Sequence, residues 1–198
     1  MTSSFVSLVF TVFFELRLYL FLKSKLLLDF NILIHANTDE TGAKETKNLV
    51  DAFKVASRVV IGDLTNKNFV KDLIREASKL GDLSVLVNNA SQRNFFKFED
   101  MTYEDWRHIL SINLDSVFLT CKSAIPLMKE NSWGRIINLG GLSAHIGAIG
   151  RSHVVTSKLA VVGFTRALAT EYAGTGITVN CVVPGLIDTV RGKSAGQG

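Results

Sequence analysis

The chain of 198 residues is long enough to close one sizeable hydrophobic core and too short for two comfortable ones. Hydrophobic residues at 47% and charged residues at 20% are ordinary globular composition. A net charge of +4 without any Lys/Arg run argues against nucleic acid as a partner. Neither the two cysteines (Cys121, Cys181) nor the four histidines (His35, His108, His145, His153) have metal-ligand spacing, so reduced thiols and no metal are expected.

Residues 5–22 (FVSLVFTVFFELRLYLFL) are nearly continuous apolar sequence, broken by Glu15 and Arg17 and followed by Lys23 and Lys25. Their length approaches the ~20 residues that cross a bilayer, and a span would leave the following domain on the cytoplasmic side. Two central charges weigh against insertion, since each costs a few kcal/mol. No basic region precedes the stretch and no small-residue cleavage site follows it, so a cleaved signal peptide is not expected. The alternative is a first strand at residues 6–9, with a loop and helix in residues 10–29. Residues 1–30 are thus an apolar leader, either a degenerate strand and helix or a membrane segment.

Beyond the leader, strand and helix signals alternate. Residues 31–36 (NILIHA) read as a strand, and Thr38 or Asp39 caps a helix over residues 40–53 with Val50 and Phe53 inward. A second strand at residues 58–62 precedes a helix capped by Thr65, with Phe69, Leu73, Ile74 and Ala77 at helical spacing. Residues 83–87 are a third strand. Asp100 or Thr102 then opens a long helix past Trp106 towards Met128. Residues 135–139 and 177–183 are two more strands, separated by a helix from Ser152 to Tyr172.

These strands are solid apolar runs, which predicts a parallel sheet buried on both faces. Alternation with helical crossovers predicts a doubly wound α/β domain over residues 31–190, followed by a flexible tail at 191–198. In such sheets ligands lie beyond the carboxyl ends of the strands. Asn37, Asp63, residues 88–91, residues 140–143 and residues 184–189 all fall there.

From Asn31 onward the sequence resembles the short-chain dehydrogenase/reductase family, in particular members like 3-oxoacyl-ACP reductases. The likeness lies in GDLT at Asp63, NNAS at residues 88–91, SINLDSV around Asn113, TSK ending at Lys158, and PGLIDT at residues 184–189. It implies a Rossmann-like fold and an NADP or NAD cofactor, with a small carbonyl or alcohol as substrate. It also implies roles: Asp63 meets the adenine amino group, Asn89 and Ala90 let backbone approach the cofactor, and Lys158 binds the nicotinamide ribose. Pro184, Gly185, Ile187 and Thr189 address the carboxamide, and Asn113 serves the proton relay. Asn37, after the strand at residues 31–36, offers no carboxylate for a ribose 2′-hydroxyl, which leans to NADP.

Three departures qualify the resemblance. The family's acid/base tyrosine position is Val154 and its serine position is Gly141, so the usual proton path is lost. Ser143 is the candidate substitute hydroxyl. His145 in the adjoining loop is a candidate acid, whereas His153 should point away, because successive helix residues diverge by about 100°. No glycine occurs before Gly42, where the family's phosphate-binding turn should lie, so dinucleotide affinity should suffer. The chain also stops at Gly198, before the substrate-covering elements that family oligomers often share, which argues against a homo-oligomer. The sequence therefore reads as a cytoplasmic NAD(P)-dependent oxidoreductase with impaired catalysis. The alternative is a non-catalytic remnant or binding module, with membrane contact through residues 5–22.

Overall fold

A computed structural model of the protein describes residues 5–10 and 30–185. Six strands form one sheet: β1 (Phe5–Phe10), β2 (Phe30–Ala36), β3 (Ser57–Ile61), β4 (Asp82–Asn88), β5 (Gly134–Leu139) and β6 (Ile177–Val182). Their order is β3-β2-β1-β4-β5-β6, and every neighbouring pair is parallel. The winding reverses at β1, which lies between β2 and β4, so a crevice opens between the carboxyl ends of β1 and β4. The doubly wound α/β fold expected from the apolar strands is the fold observed.

Among the described residues the α-helices are α1 (Glu40–Asp51), α2 (Lys67–Ser78), α3 (Tyr103–Leu110), α4 (Ser116–Glu130), the single turn α5 (Ser143–Ile146) and α6 (Ser152–Glu171). Successive strand side chains alternate between sheet faces. Leu33, Leu86 and Ile136 enter one core with Val70, Leu73 and Ile74 of α2, Cys121 and Met128 of α4, and Val161 of α6. Ile32, Ile34, Val85 and Val87 enter the other, against Ala43 and Val50 of α1. Both faces are covered, which is why these strands carry no polar alternation.

Local chemistry sets several boundaries differently from the sequence reading. Asp39 caps α1, accepting from the Gly42 amide at 2.9 Å. The cap of α2 is Asn66 rather than Thr65, because Asn66 accepts from two first-turn amides while the Thr65 hydroxyl is held by Asp63. Val70 is fully buried on that helix and Phe69 only partly so. Thr102 opens α3 through a reciprocal capping box with Asp105.

The long helix expected towards Met128 is interrupted by a π-helical turn at Ser111–Asp115, which inserts Asn113 between α3 and α4. Residues 5–10 form the central strand, so the apolar stretch 5–22 is not one continuous membrane helix. The rest of that stretch, residues 11–22, lies outside the described residues; of the loop and helix expected in residues 10–29, Phe10 ends the strand and residues 11–29 lie outside the described residues. Among the described residues no helix is long and apolar enough to cross a membrane.

Candidate active site

The carboxyl ends of the central strands converge on a buried polar cluster. Asn88, the last residue of β4, is in register with Phe10 of β1 and with Asn138 of β5. Its Nδ2 donates to Asn138 Oδ1 at 2.8 Å, and its Oδ1 accepts from Thr120 Oγ of α4 at 2.8 Å. Asn138 Nδ2 in turn donates to Thr165 Oγ of α6 at 2.9 Å. All four residues are buried, and each bond ties a strand end to its neighbour or to a covering helix. Asn138 and the two threonines escaped the sequence reading. The signal was an asparagine inside the apolar strand Ile136-Ile137-Asn138-Leu139.

Above this network the loop after β4 carries Asn89 and Ala90, both half-buried. It is clasped by Asn113, which is fully buried in the π turn. Asn113 Oδ1 accepts from the Gln92 amide at 2.8 Å, while Nδ2 donates to the Gln92 carbonyl and to Ser157 Oγ, each at 3.0 Å. Both amide hydrogens are therefore engaged, and the side chain fixes the loop to α6 one residue before Lys158. The side chain sits in a π turn, a deviation from regular helix that is frequent at functional sites.

Lys158 is 6% exposed, and its Nζ donates to the Leu139 carbonyl at the end of β5 at 2.8 Å. Burial first, and the Arg93 guanidinium second, push the ammonium down to about 8, with Cys181 acting in the opposite sense. Among the described residues no carboxylate pairs with it. Beside it the backbone is bare at Gly141. A Cβ built there would lie 3.8 Å from Lys158 Cγ and 4.0 Å from Ser143 Oγ, both ordinary contact distances. Ser143 therefore borders the space that a serine at position 141 would enter.

Val154 is buried and offers only its carbonyl, which accepts from Ser157 Oγ at 2.8 Å. His153 is fully buried with its ring 5.5 Å from that of Phe96, and burial lowers its pKa. His145 is exposed on α5. Cys121 is buried and Cys181 half-buried, and both are free thiols.

Asn37 is exposed after β2. Asp63 follows β3 in an Asx turn, accepting from the Thr65 amide and hydroxyl at 2.8 Å each. One lone pair on each oxygen remains for an external donor. His35, absent from the sequence reading as a site residue, bonds the Gly62 carbonyl at 2.7 Å beneath this turn. Pro184 and Gly185 follow β6. Ile187 and Thr189 lie outside the described residues, as do residues 191–198.

The sheet order matches that of a dinucleotide-binding fold. Asp63 and Lys158 stand at ligand-facing strand ends, with unfilled acceptor capacity at one and a buried donor at the other. The residues described fit an adenine at the first and a ribose at the second.

Comparisons with known proteins agree with this fold. The sequence model described as short chain dehydrogenase matches residues 24–198. The 3-oxoacyl-[acyl-carrier-protein] reductase of Buchnera aphidicola is 40% identical over 128 residues, covering 64% of this chain and 52% of that protein. Acetoin dehydrogenase from Enterobacter cloacae superposes with a TM-score of 0.84 at 29% identity, covering 96% of this chain and 75% of that one. A Beutenbergia cavernae protein solved with NADP bound at low occupancy gives a TM-score of 0.71 at 31% identity, over 78% of this chain and 61% of that one. The chain spans about half the length of the curated relatives it matches. With sheet order, site geometry and sequence in accord, the chain belongs to the short-chain dehydrogenase family of oxidoreductases.

Proposed function

We propose that this chain binds NADP or NAD and acts on a small carbonyl or alcohol with strongly reduced catalytic power. The observation that carries the reading is Lys158. Its buried ammonium is held at the end of β5 on Leu139, in a site where the tyrosine and serine positions are Val154 and Gly141.

In this reading Asp63 accepts from the adenine amino group. Asn89 and Ala90 keep the backbone after β4 close to the cofactor, and Lys158 donates to the ribose hydroxyls. Pro184, Gly185, Ile187 and Thr189 hold the carboxamide. When bound, the nicotinamide supplies or accepts hydride. The chain's own task is to orient the substrate oxygen and manage a proton there. Ser143 Oγ borders the right space to donate a hydrogen bond to that oxygen. Asn113 acts as a positioning residue, holding Gln92 and Ser157 and through them the loop and helix that frame the site. No side chain at position 154 can hold the proton, and the loss of a general acid slows such reactions by about 10²–10⁴-fold. Asn37 leaves the 2′ position without a carboxylate, because Asp39 is engaged in capping α1. That supports NADP over NAD. A cytoplasmic location fits the same reading.

A non-catalytic binding module is the second reading, favoured by the burial of Val154 where an acid would stand. Isothermal titration with NADPH and NADH tests the common premise. Saturable heat with preference for NADPH is expected. No heat with either at millimolar concentration overturns both oxidoreductase chemistry and dinucleotide recognition. Saturable binding without turnover on any carbonyl would favour the module.

A further inference from the structure

We propose that His35 is the positioning residue of the adenine subsite, holding the Gly62–Asp63 peptide from within the sheet so that the Asp63 carboxylate meets the adenine amino group. Its role rests on the reading of Asp63 as the adenine acceptor, and extends that subsite from β3 to β2.

From Ile32 to Ala36, β2 is apolar except for His35, which is only 2% exposed. Leu33 enters the core beneath α2, and a residue two positions on shares that face of the sheet. The imidazole accordingly meets the Phe69 ring of α2, with centroids 5.7 Å apart. A polar ring in such surroundings costs free energy unless it is hydrogen-bonded. Its Nε2 lies 2.7 Å from the Gly62 carbonyl oxygen. A carbonyl can only accept, so Nε2 carries a proton and donates it.

That bond completes a grip on Gly62. The Gly62 amide donates to the Ala36 carbonyl at 3.0 Å, so two successive residues of β2 hold the glycine by its amide and its carbonyl. The Phe69 ring closes a third side, because a Cβ at position 62 would lie 2.2 Å from it. The Gly62 carbonyl belongs to the planar peptide that leads into Asp63, and fixing its oxygen fixes the Asp63 amide with it. Asp63 then folds back onto the Thr65 amide and hydroxyl, which leaves one lone pair on each carboxylate oxygen for an external donor. An apolar side chain at position 35 would pack against Phe69 equally well and hold no carbonyl. The imidazole is therefore explained by the turn above it and not by the core around it.

Calorimetric titration of the full chain with NADH and with reduced nicotinamide hypoxanthine dinucleotide tests the proposal. The second ligand carries an exocyclic oxygen in place of the adenine amino group. The parent is expected to bind NADH about 10-fold more tightly, the effect of one hydrogen bond to a carboxylate. His35→Leu should reduce that preference to less than about 2-fold and leave affinity for the hypoxanthine ligand nearly unchanged, since that ligand has no amino group to place. His35→Gln, whose amide reaches the same carbonyl, should keep the preference, and His35→Asn, one bond shorter, should lose it. If His35→Leu does not fold, the Gln and Asn variants carry the comparison. Equal losses for both ligands overturn the proposal, because they mark a merely structural role. So does a preference undiminished in His35→Leu or His35→Asn. A parent chain that binds neither ligand, or both equally, overturns the reading of Asp63 and the role of His35 with it. That result is distinct from a preference present in the parent and indifferent to position 35.

Discussion

At the scale of single residues, Gly141 and Val154, the two positions proposed to have lost their catalytic groups, differ in what they tolerate. Gly141→Ser places its Cβ at ordinary contact distance from Lys158 and Ser143, and thermal unfolding is expected to shift by no more than about 0.5 kcal/mol. Val154 is buried, so a phenol there must either extend into the site or overpack the helix interface at about 1–3 kcal/mol. Asn113 is the opposite case. Asn113→Ala removes the partner of the Gln92 amide and carbonyl and the donor to Ser157 Oγ, which keeps its bond to Val154, and urea unfolding should show a loss of about 3 kcal/mol. If the loss is under about 0.5 kcal/mol, Asn113 is not the clasp described. Lys158, Asn113 and Asp63 were legible in the sequence because each sits in a short motif. The Asn88–Asn138–Thr165 chain was not, because partners from β4, β5 and α6 meet only after the sheet forms.

At the scale of elements, existence and type followed from apolar periodicity, and boundaries followed from hydrogen bonding that periodicity does not register. Strands β2 to β6 appear within a residue or so of their expected limits, since solid apolar runs bounded by Gly, Asn or Asp have few alternatives. The break between α3 and α4 was invisible, because a π turn adds one residue without changing composition. The turn into β6 makes a sharper demand. Gly176 has φ +83°, and a Cβ there would lie 1.9 Å from the Ser132 carbonyl oxygen. Gly176→Ala should destabilise the chain by about 2 kcal/mol or more in chemical denaturation, through strain at that turn. A variant as stable as the parent would mean that this turn is held differently.

At the scale of the whole molecule, the fold was readable from strand–helix alternation, while the fate of the leader was not. An apolar segment long enough for a bilayer is also what a central strand needs, and only pairing with β2 and β4 separates the two for residues 5–10. Charge linkage gives a molecule-wide signature. His35 and His153 are both held below their ordinary value of 6.5 by burial, so the unfolded chain takes up protons first as pH falls through that value. Stability should therefore drop on acidification below about pH 6.5, read as a falling melting temperature.

For Lys158, lowered from 10.5 to about 8, the unfolded state binds the extra proton between those values. Stability should thus rise by about 3 kcal/mol from pH 8 to 10.5 relative to Lys158→Met, which lacks that titration. Parallel curves for the two chains would contradict a buried, unpaired ammonium.

The central claim is that a dinucleotide scaffold persists here with its proton relay removed. NADPH consumption with a small ketone by Gly141→Ser/Val154→Tyr, beside the parent chain, tests it most directly. The account predicts a gain of about 10²–10⁴-fold. A double variant that binds NADPH yet turns over no faster than the parent would contradict it.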